Sequence, residues 1–165
     1  MALREDALYA SYRRLEKPLF NVLYRQLWHV EDCQDVIHDA YVRVWERRGK
    51  VDEATLDALV WTTALNLAKN RLRWRVLRRH DVVDENLPQL MGDAQPMDFL
   101  ATRRLHEALR QLPHAWRQVL LLSEFSGMRG NEIAGVLGIP AGTVASRKHL
   151  AMVRLKALMG VSGNE

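Results

Sequence analysis

The sequence predicts an all-α chain of two small helical domains joined by a flexible linker. Three observations carry this prediction. Apolar residues recur at intervals of three and four with no alternating run. Glycine and proline are scarce through the first eighty residues. The stretch DVVDENLPQLMGDAQPMD, residues 81–98, then holds two prolines, a glycine and no period, which is unusual inside one compact domain. A chain of 165 residues can hold one ordinary domain or two small ones, and the domains are placed at 1–80 and 99–165 with the linker over 81–98.

The elements follow in order. Leu8, Tyr12, Leu15, Leu19, Val22, Leu23 and Leu27 step as one buried stripe of a first helix. Val36, Ile37, Ala40, Tyr41, Val44 and Trp45 repeat the pattern, and Arg47-Arg48-Gly49 supplies a cationic last turn and a glycine stop. A third helix is expected from about Thr55 to Arg79. Beyond the linker, Phe99, Leu100, Leu105, Leu109 and Leu112 mark a helix ended by Pro113, which suits the first turn of the next. That next helix carries Trp116, Val119, Leu120 and Leu122 and stops at Gly127. A short helix over Asn131–Leu137, Gly138, and a long helix from about Pro140 to Met159 complete the chain.

Composition narrows the function. An apolar fraction of 48% supports buried cores, and the longest apolar candidate, Val119–Leu122, is far too short to cross a bilayer. No membrane insertion is expected. The opening Met-Ala-Leu-Arg-Glu-Asp lacks the apolar stretch of a signal peptide, and a single cysteine, Cys33, allows no internal disulfide. Both point to the cytoplasm. The net charge of +4 is sorted into blocks. Glu31, Asp32, Asp35 and Asp39 fall in a stretch without bases, and Lys69, Arg71, Arg73, Arg75, Arg78 and Arg79 in one without acids. Residues 81–98 are acidic again, and past Glu132 only the terminal Glu165 is acidic. Several distinct binding faces are implied.

The segment EIAGVLGIPAGTVASRKHL has the layout of a helix-turn-helix. Gly138 permits a positive-φ turn, Ile139 and Val144 seal the angle, and the second helix offers Thr143, Ser146, Arg147, Lys148 and His149 near its start. Arg147 suits a bidentate contact to guanine, and Thr143 and Ser146 suit phosphate or base contacts. The bland alternative is a helical hairpin with a solvated basic face, which an acid-free helix behind such a turn fits poorly.

Two further clusters stand out. Asp32, Asp35 and Asp39, at i, i+3 and i+7, share one helical face, either a docking surface or simply a solvated one. His29, Asp32 and Cys33 lack the tighter spacing of a zinc site, and nothing basic adjoins Cys33 to activate its thiol, so neither a metal nor a redox role is assigned. The block from Trp61 to Arg79 mixes aromatics, amides and bases: Trp61, Asn66, Lys69, Asn70, Arg71, Arg73, Trp74 and Arg75. Holding single-stranded DNA calls for such a mixture, with bases for phosphates and aromatics for unstacked nucleobases. Trp61 fits a core position equally well.

These residues carry a family resemblance. LPHAWRQVLLLSEFSGMRGNEIAGVLGIPAGTVASRKHLAMVRLKAL is similar to region 4 of the extracytoplasmic-function (ECF) sigma factors, group IV of the sigma-70 family. Leu112-Pro113, Arg117, Val119 to Leu122, Gly127, Glu132 to Ala134, Leu137-Gly138, Gly142 to Val144 and Ser146-Arg147 match in order. DCQDVIHDAYVRVWERR and WTTALNLAKNRLRWRVLRR resemble region 2. The resemblance implies an alternative sigma factor that binds core RNA polymerase, directs promoter-specific initiation and has an anti-sigma factor as a further partner. It implies polymerase contacts at Asp32, Gln34, Asp35, Asp39 and Trp45. It implies −10 contacts at Trp61, Asn66, Lys69, Asn70, Arg71, Arg73 and Arg75, with a flipped base held near Lys50 to Asp57. It implies −35 contacts at Thr143, Ser146, Arg147, Lys148, His149 and Arg117. The acidic linker would span the two promoter elements near the polymerase RNA-exit path.

Departures include Asp32-Cys33-Gln34-Asp35 in place of a more acidic stretch, Leu65 before Asn66, Ala145, Leu150 and Arg129-Gly130; some are shared with the iron-uptake subgroup (FecI-like). No catalytic residue, cofactor, metal or small-molecule substrate is expected, so the chain is not read as an enzyme. The alternative is a helix-turn-helix regulator acting without polymerase docking. That reading leaves the acidic face and the Trp/Arg helix unused. A metal-dependent nuclease would need paired ligand motifs that the acids near Asp35 do not supply.

Overall fold

In the computed structural model, residues 2–78 and 96–160 are described. Among them there is no strand, and the all-α expectation holds. The helices are α1 (Glu5–Leu27), α2 (Val30–Glu46), α3 (Leu56–Arg78), α4 (Pro96–Arg110), α5 (His114–Phe125), α6 (Gly130–Leu137) and α7 (Ala141–Leu158). Contacts group the chain into two units, one carried by α1–α3 and the other by α4, α5 and α7. The linker expected over 81–98 lies outside the described residues except for Pro96, Met97 and Asp98. These three open α4, so the helix starts ahead of the expected Phe99, with proline in its first turn where a missing N–H removes no hydrogen bond.

In the first unit each helix packs on the other two. Leu19, Val22, Leu23 and Leu27 from α1 meet Cys33, Val36, Ala40 and Val44 from α2 and Leu56, Val60, Ala64 and Ala68 from α3. All twelve side chains are sealed from solvent. Each large aliphatic group among them contributes roughly 1.5–3 kcal/mol of transfer free energy. Tyr12, expected within the α1 stripe, stands at its rim, 37% exposed.

The turn from α1 to α2 is closed by two local devices. Trp28 adopts a left-handed conformation (φ 53°) and donates its amide to the Tyr24 carbonyl at 2.7 Å. His29 then caps α2, its Nδ1 accepting the Asp32 amide at 3.2 Å. Asp32 is thereby fixed in the first turn of α2. At the other end, the expected glycine stop is replaced by a different device. Gly49 lies in a 3-10 turn, Arg48–Lys50, and is not among the described positive-φ glycines. The helix ends where the Arg47 amide bonds the Val44 carbonyl at 3.1 Å, an i→i−3 tightening.

A polar network, buried at Ser11 and Tyr41 and exposed at Arg14, ties the three helices near their ends. The Ser11 hydroxyl donates to Asp57 at 2.7 Å and pairs with the Tyr41 hydroxyl at 3.1 Å, while Arg14 donates to Asp57 at 3.0 Å. Burial, helped by the Asp57 charge, pushes the Tyr41 hydroxyl up to about 12 despite the opposing effect of its Ser11 hydrogen bond.

In the second unit Ala108, Leu109, Leu112, Val119, Leu120, Leu121 and Leu122 form the core with Val144 and Ala151 of α7. Pro113 stands one position ahead of the first helical residue of α5, as its N-cap. Gly127 and Gly138 take positive φ (77° and 68°), as expected of the helix stop and the tight turn. After Gly138 the Ile139 amide bonds the Ala134 carbonyl at 3.1 Å, the long-range bond of a Schellman ending. Pro140 then caps α7 with extended backbone.

Candidate nucleic-acid and polymerase interfaces

Helix α3 divides its polar residues between two opposite faces. Asn66, Lys69, Asn70 and Arg73 are exposed and step along the solvent side with Trp74 (58% exposed) and Leu77 (69%). The opposite stripe runs Val60, Ala64, Ala68, all fully buried, and continues through Arg71 and Arg75 at the same helical spacing. These two arginines meet the start of α2. Arg71 Nη1 donates to Asp32 Oδ1 at 2.7 Å and lies 3.8 Å from Asp35. Arg75 donates through Nη2 to Asp32 Oδ2 and through Nη1 to the Leu27 carbonyl. One carboxylate thus receives a guanidinium on each oxygen. Burial alone would raise the Asp32 pKa. The hydrogen bond and charge of Arg75, with His29 and Arg71, outweigh it and hold the group below the usual carboxylate range.

The residues expected along the −10 element therefore separate. Asn66 and Asn70 are brought together at a cavity of about 200 Å³ between α2 and α3, which Arg43, Arg47 and Thr63 also line. Lys69 and Arg73 flank them on the exposed side. Arg71 and Arg75 are turned inward. Trp61 is 3% exposed within the bundle and offers no face to a nucleobase, which corrects its assignment in favour of core packing.

The residues expected to touch polymerase do not share one face of α2 either. Gln34 lines a groove of about 650 Å³ between α1 and α2, with Tyr12, Phe20, His38 and Tyr41. Trp45 falls on the same side of the helix by its spacing from Gln34 and lies half-buried beneath the Arg48 guanidinium, 4.6 Å from its carbon. Asp35 and Asp39 are exposed on another face, and Asp32 is held in the arginine pair. Among the described residues no three His, Cys, Asp or Glu side chains are grouped to hold a metal ion, and Cys33 is fully buried.

In the second unit Thr143, Ser146 and Arg147 lie on one side of α7, with Thr143 and Arg147 half-exposed and Ser146 exposed. The Ser146 hydroxyl donates to the Thr143 carbonyl at 3.2 Å. His149 is exposed on the far side of Ser146. Lys148 is exposed on the flank of the buried Val144–Ala151 stripe opposite Arg147, each lying three or four residues from both buried positions. Arg117 is turned into the unit, where its guanidinium donates to the Leu109 carbonyl at 3.4 Å and lies 3.4 Å from the His114 ring. Burial, then the charge of Arg110, lowers its pKa.

Residues 11–77 match the Sigma-70 region 2 family, and residues 102–155 match the Sigma-70, region 4 family. An RNA polymerase sigma-E factor of Streptomyces avermitilis is 31% identical over 155 residues, covering 93% of this chain and 79% of its own length. The chain belongs to the sigma-70 family, in its extracytoplasmic-function group. The ECF RNA polymerase sigma factor SigW of Bacillus subtilis is 26% identical over 144 residues, covering 79% of this chain and 77% of its own. The fold is shared with the sigma factor RpoE of Bartonella quintana, solved with the anti-sigma factor NepR. Its TM-score is 0.70 at 19% identity, over 93% of this chain and 97% of that one.

This sigma factor binds core RNA polymerase and directs promoter-specific initiation of transcription. Its region 2 is built on α1–α3 and its region 4 on α4–α7. Among the described residues of the sigma factor, no helix is long and apolar enough to cross a membrane. Sequence reasoning missed Arg43 and Arg47, which lie outside the basic block and join the site only through the packing of α2 on α3. It also missed the inward turn of Arg71 and Arg75. The signal for that was present: counting by three and four from Val60, Ala64 and Ala68 places both arginines on the buried stripe.

Proposed function

We propose that this sigma factor holds the −10 element on the exposed stripe of α3 and reads the −35 element with the first two turns of α7. The observation that carries the first half is the meeting of Asn66 and Asn70 with Arg43 and Arg47 around one cavity, beside exposed Lys69 and Arg73. Amides offer both donors and acceptors to a base edge, and the cations beside them neutralise its phosphate. In α7, Arg147 contacts a guanine edge while Thr143, Ser146 and His149 serve neighbouring phosphates or bases, the helix N-terminus favouring a phosphate. Lys148 approaches the backbone from the flank. Arg117 acts within the unit, holding the end of α4 to α5.

Polymerase docks on α2 through Gln34 and Trp45 on the α1 side and through Asp35 and Asp39 on the other. Exposed carboxylates of this kind set orientation and on-rate more than affinity. Strand opening requires no catalytic group, because preferential binding of the open form shifts the equilibrium. The protein acts in the cytoplasm, where polymerase works, and an anti-sigma factor holds it inactive there, as the family and the NepR complex of its structural neighbour support. Membership of the iron-uptake subgroup is proposed on the sequence departures at Gln34 and Arg129-Gly130.

The test is run-off transcription with purified core polymerase and a library of genomic fragments. Promoter-specific products are expected, with fragments upstream of iron-uptake genes among them. Asn66→Ala should change selection at the −10 element and Arg147→Ala at the −35 element. DNA binding without any polymerase-dependent product would instead favour a regulator acting alone.

A further inference from the structure

The Asp32–Arg71–Arg75 cluster has no role in the division of labour above, although all three residues belong to blocks that the sequence assigns to polymerase or DNA. We infer that Asp32 is a positioning residue for the DNA-reading face of α3 rather than a polymerase contact, and that Arg71 and Arg75 hold its carboxylate instead of DNA phosphate. The inference rests on the assignment of the exposed α3 stripe to DNA.

Three observations carry it. First, each oxygen of Asp32 takes one guanidinium, Arg71 also neighbours Asp35 at 3.8 Å, and Arg75 has a further acceptor in the Leu27 carbonyl at the end of α1. Second, the cluster is mostly covered, with side-chain exposures of 23% for Asp32, 33% for Arg71 and 22% for Arg75. An arginine leaving for a phosphate would leave one oxygen of a partly buried carboxylate without its donor, and Arg75 would leave a helix-end carbonyl without one too, so the exchange is unfavourable. Third, the cluster joins all three helices of region 2 at one corner, continuing the buried stripe Val60–Ala64–Ala68. Fixing Arg71 and Arg75 inward fixes the rotation of α3 about its axis. The stripe Asn66–Lys69–Asn70–Arg73 then faces outward as a consequence.

Counterion release separates a phosphate contact from an internal ion pair. An arginine held by the protein's own carboxylate neutralises no phosphate and releases no counterion from the DNA, so its removal leaves the salt dependence of binding unchanged. Each true contact to single-stranded DNA contributes about 0.7 to the slope of log affinity against log salt. The experiment measures binding of the full chain to a fluorescein-labelled, mixed-sequence single-stranded DNA between 50 and 200 mM salt. The same variants are titrated with core polymerase.

Arg73→Ala and Lys69→Ala are expected to lower the slope by about 0.7 each, and Arg71→Ala and Arg75→Ala to leave it at the wild-type value. Asp32→Asn removes the charge that holds both arginines and, with Arg71 still beside Asp35, should raise the slope by about 0.7 to 1.4, with core affinity unchanged. Asp32→Glu, which keeps the carboxylate, should restore the wild-type slope. A purely structural role would weaken binding without moving the slope upward. If Asp32→Asn loses its helical circular dichroism, the two arginine variants decide alone. A drop for Arg75→Ala equal to that for Arg73→Ala, or a loss of core affinity in folded Asp32→Asn at unchanged slope, overturns the inference. Unchanged slopes for Arg73→Ala and Lys69→Ala as well would overturn the DNA assignment of α3 itself.

Discussion

Helices α3 and α7 are both rich in bases, yet they use them differently. In α7 the cations Arg147, Lys148, Arg154 and Lys156 make no ion pair among the described residues, and Lys148, Arg154 and Lys156 are exposed. In α3 the cations are divided, with Lys69 and Arg73 toward solvent and Arg71 and Arg75 bound to the protein's own carboxylate. The cause lies in the neighbours. The first turn of α2 sets an acid against the buried stripe of α3, whereas no described acid pairs with the cations of α7. Basic residues counted along a chain therefore overstate the surface offered to DNA wherever a helix also carries core.

Breaking the internal pair should have the largest effect. Arg75→Ala is expected to destabilise region 2 by about 2 kcal/mol in urea unfolding, because it leaves one Asp32 oxygen and the Leu27 carbonyl short of a donor. Arg73→Ala, two residues away and exposed, should stay within about 0.5 kcal/mol of wild type. Equal losses would erase the distinction between the two faces.

Region 4 should respond in the opposite sense. Arg147→Ala is expected to cost about 1–3 kcal/mol of discrimination at the −35 element, measured by competition between matched and mutated duplexes, at little cost in stability. Gly138→Ala tests the turn instead of the contact. Its open surroundings leave only the strain of positive φ (68°), about 1 kcal/mol, visible as a lower unfolding midpoint.

The smallest effect concerns acid. The Asp32 carboxyl titrates below its ordinary range in the folded chain, so its pairing stabilises the fold fully above that range. The stabilisation is lost as the pH falls through the depressed value. The stability gap between wild type and Arg75→Ala should therefore narrow progressively on acidification, followed by urea midpoints at successive pH values.

Much of this was legible in the chain itself. The core positions of α1 and α2 follow from three-and-four spacing, and Gly138 with Val144 foretold the turn and its seal. What escaped the sequence were facts of pairing across elements. Asp32 reads as one of three acids on a helical face, and only the approach of α3 reveals that it is clasped by two arginines while Asp35, exposed, neighbours one of them and Asp39 faces solvent. Gly49 reads as a helix stop, but the backbone closes through Arg47 first. Gln34 and Asp35 are adjacent in sequence and still lie on different sides of α2, because one residue turns a helix by about 100°.

The full enclosure of Cys33 gives the protein a built-in chronometer. A maleimide reagent reaches the sole thiol only when the three-helix bundle parts, so the rate of labelling reports how often it breathes. Recorded for the free factor, then with polymerase, then with DNA, that rate would follow the mobility of region 2 through initiation without any engineered site.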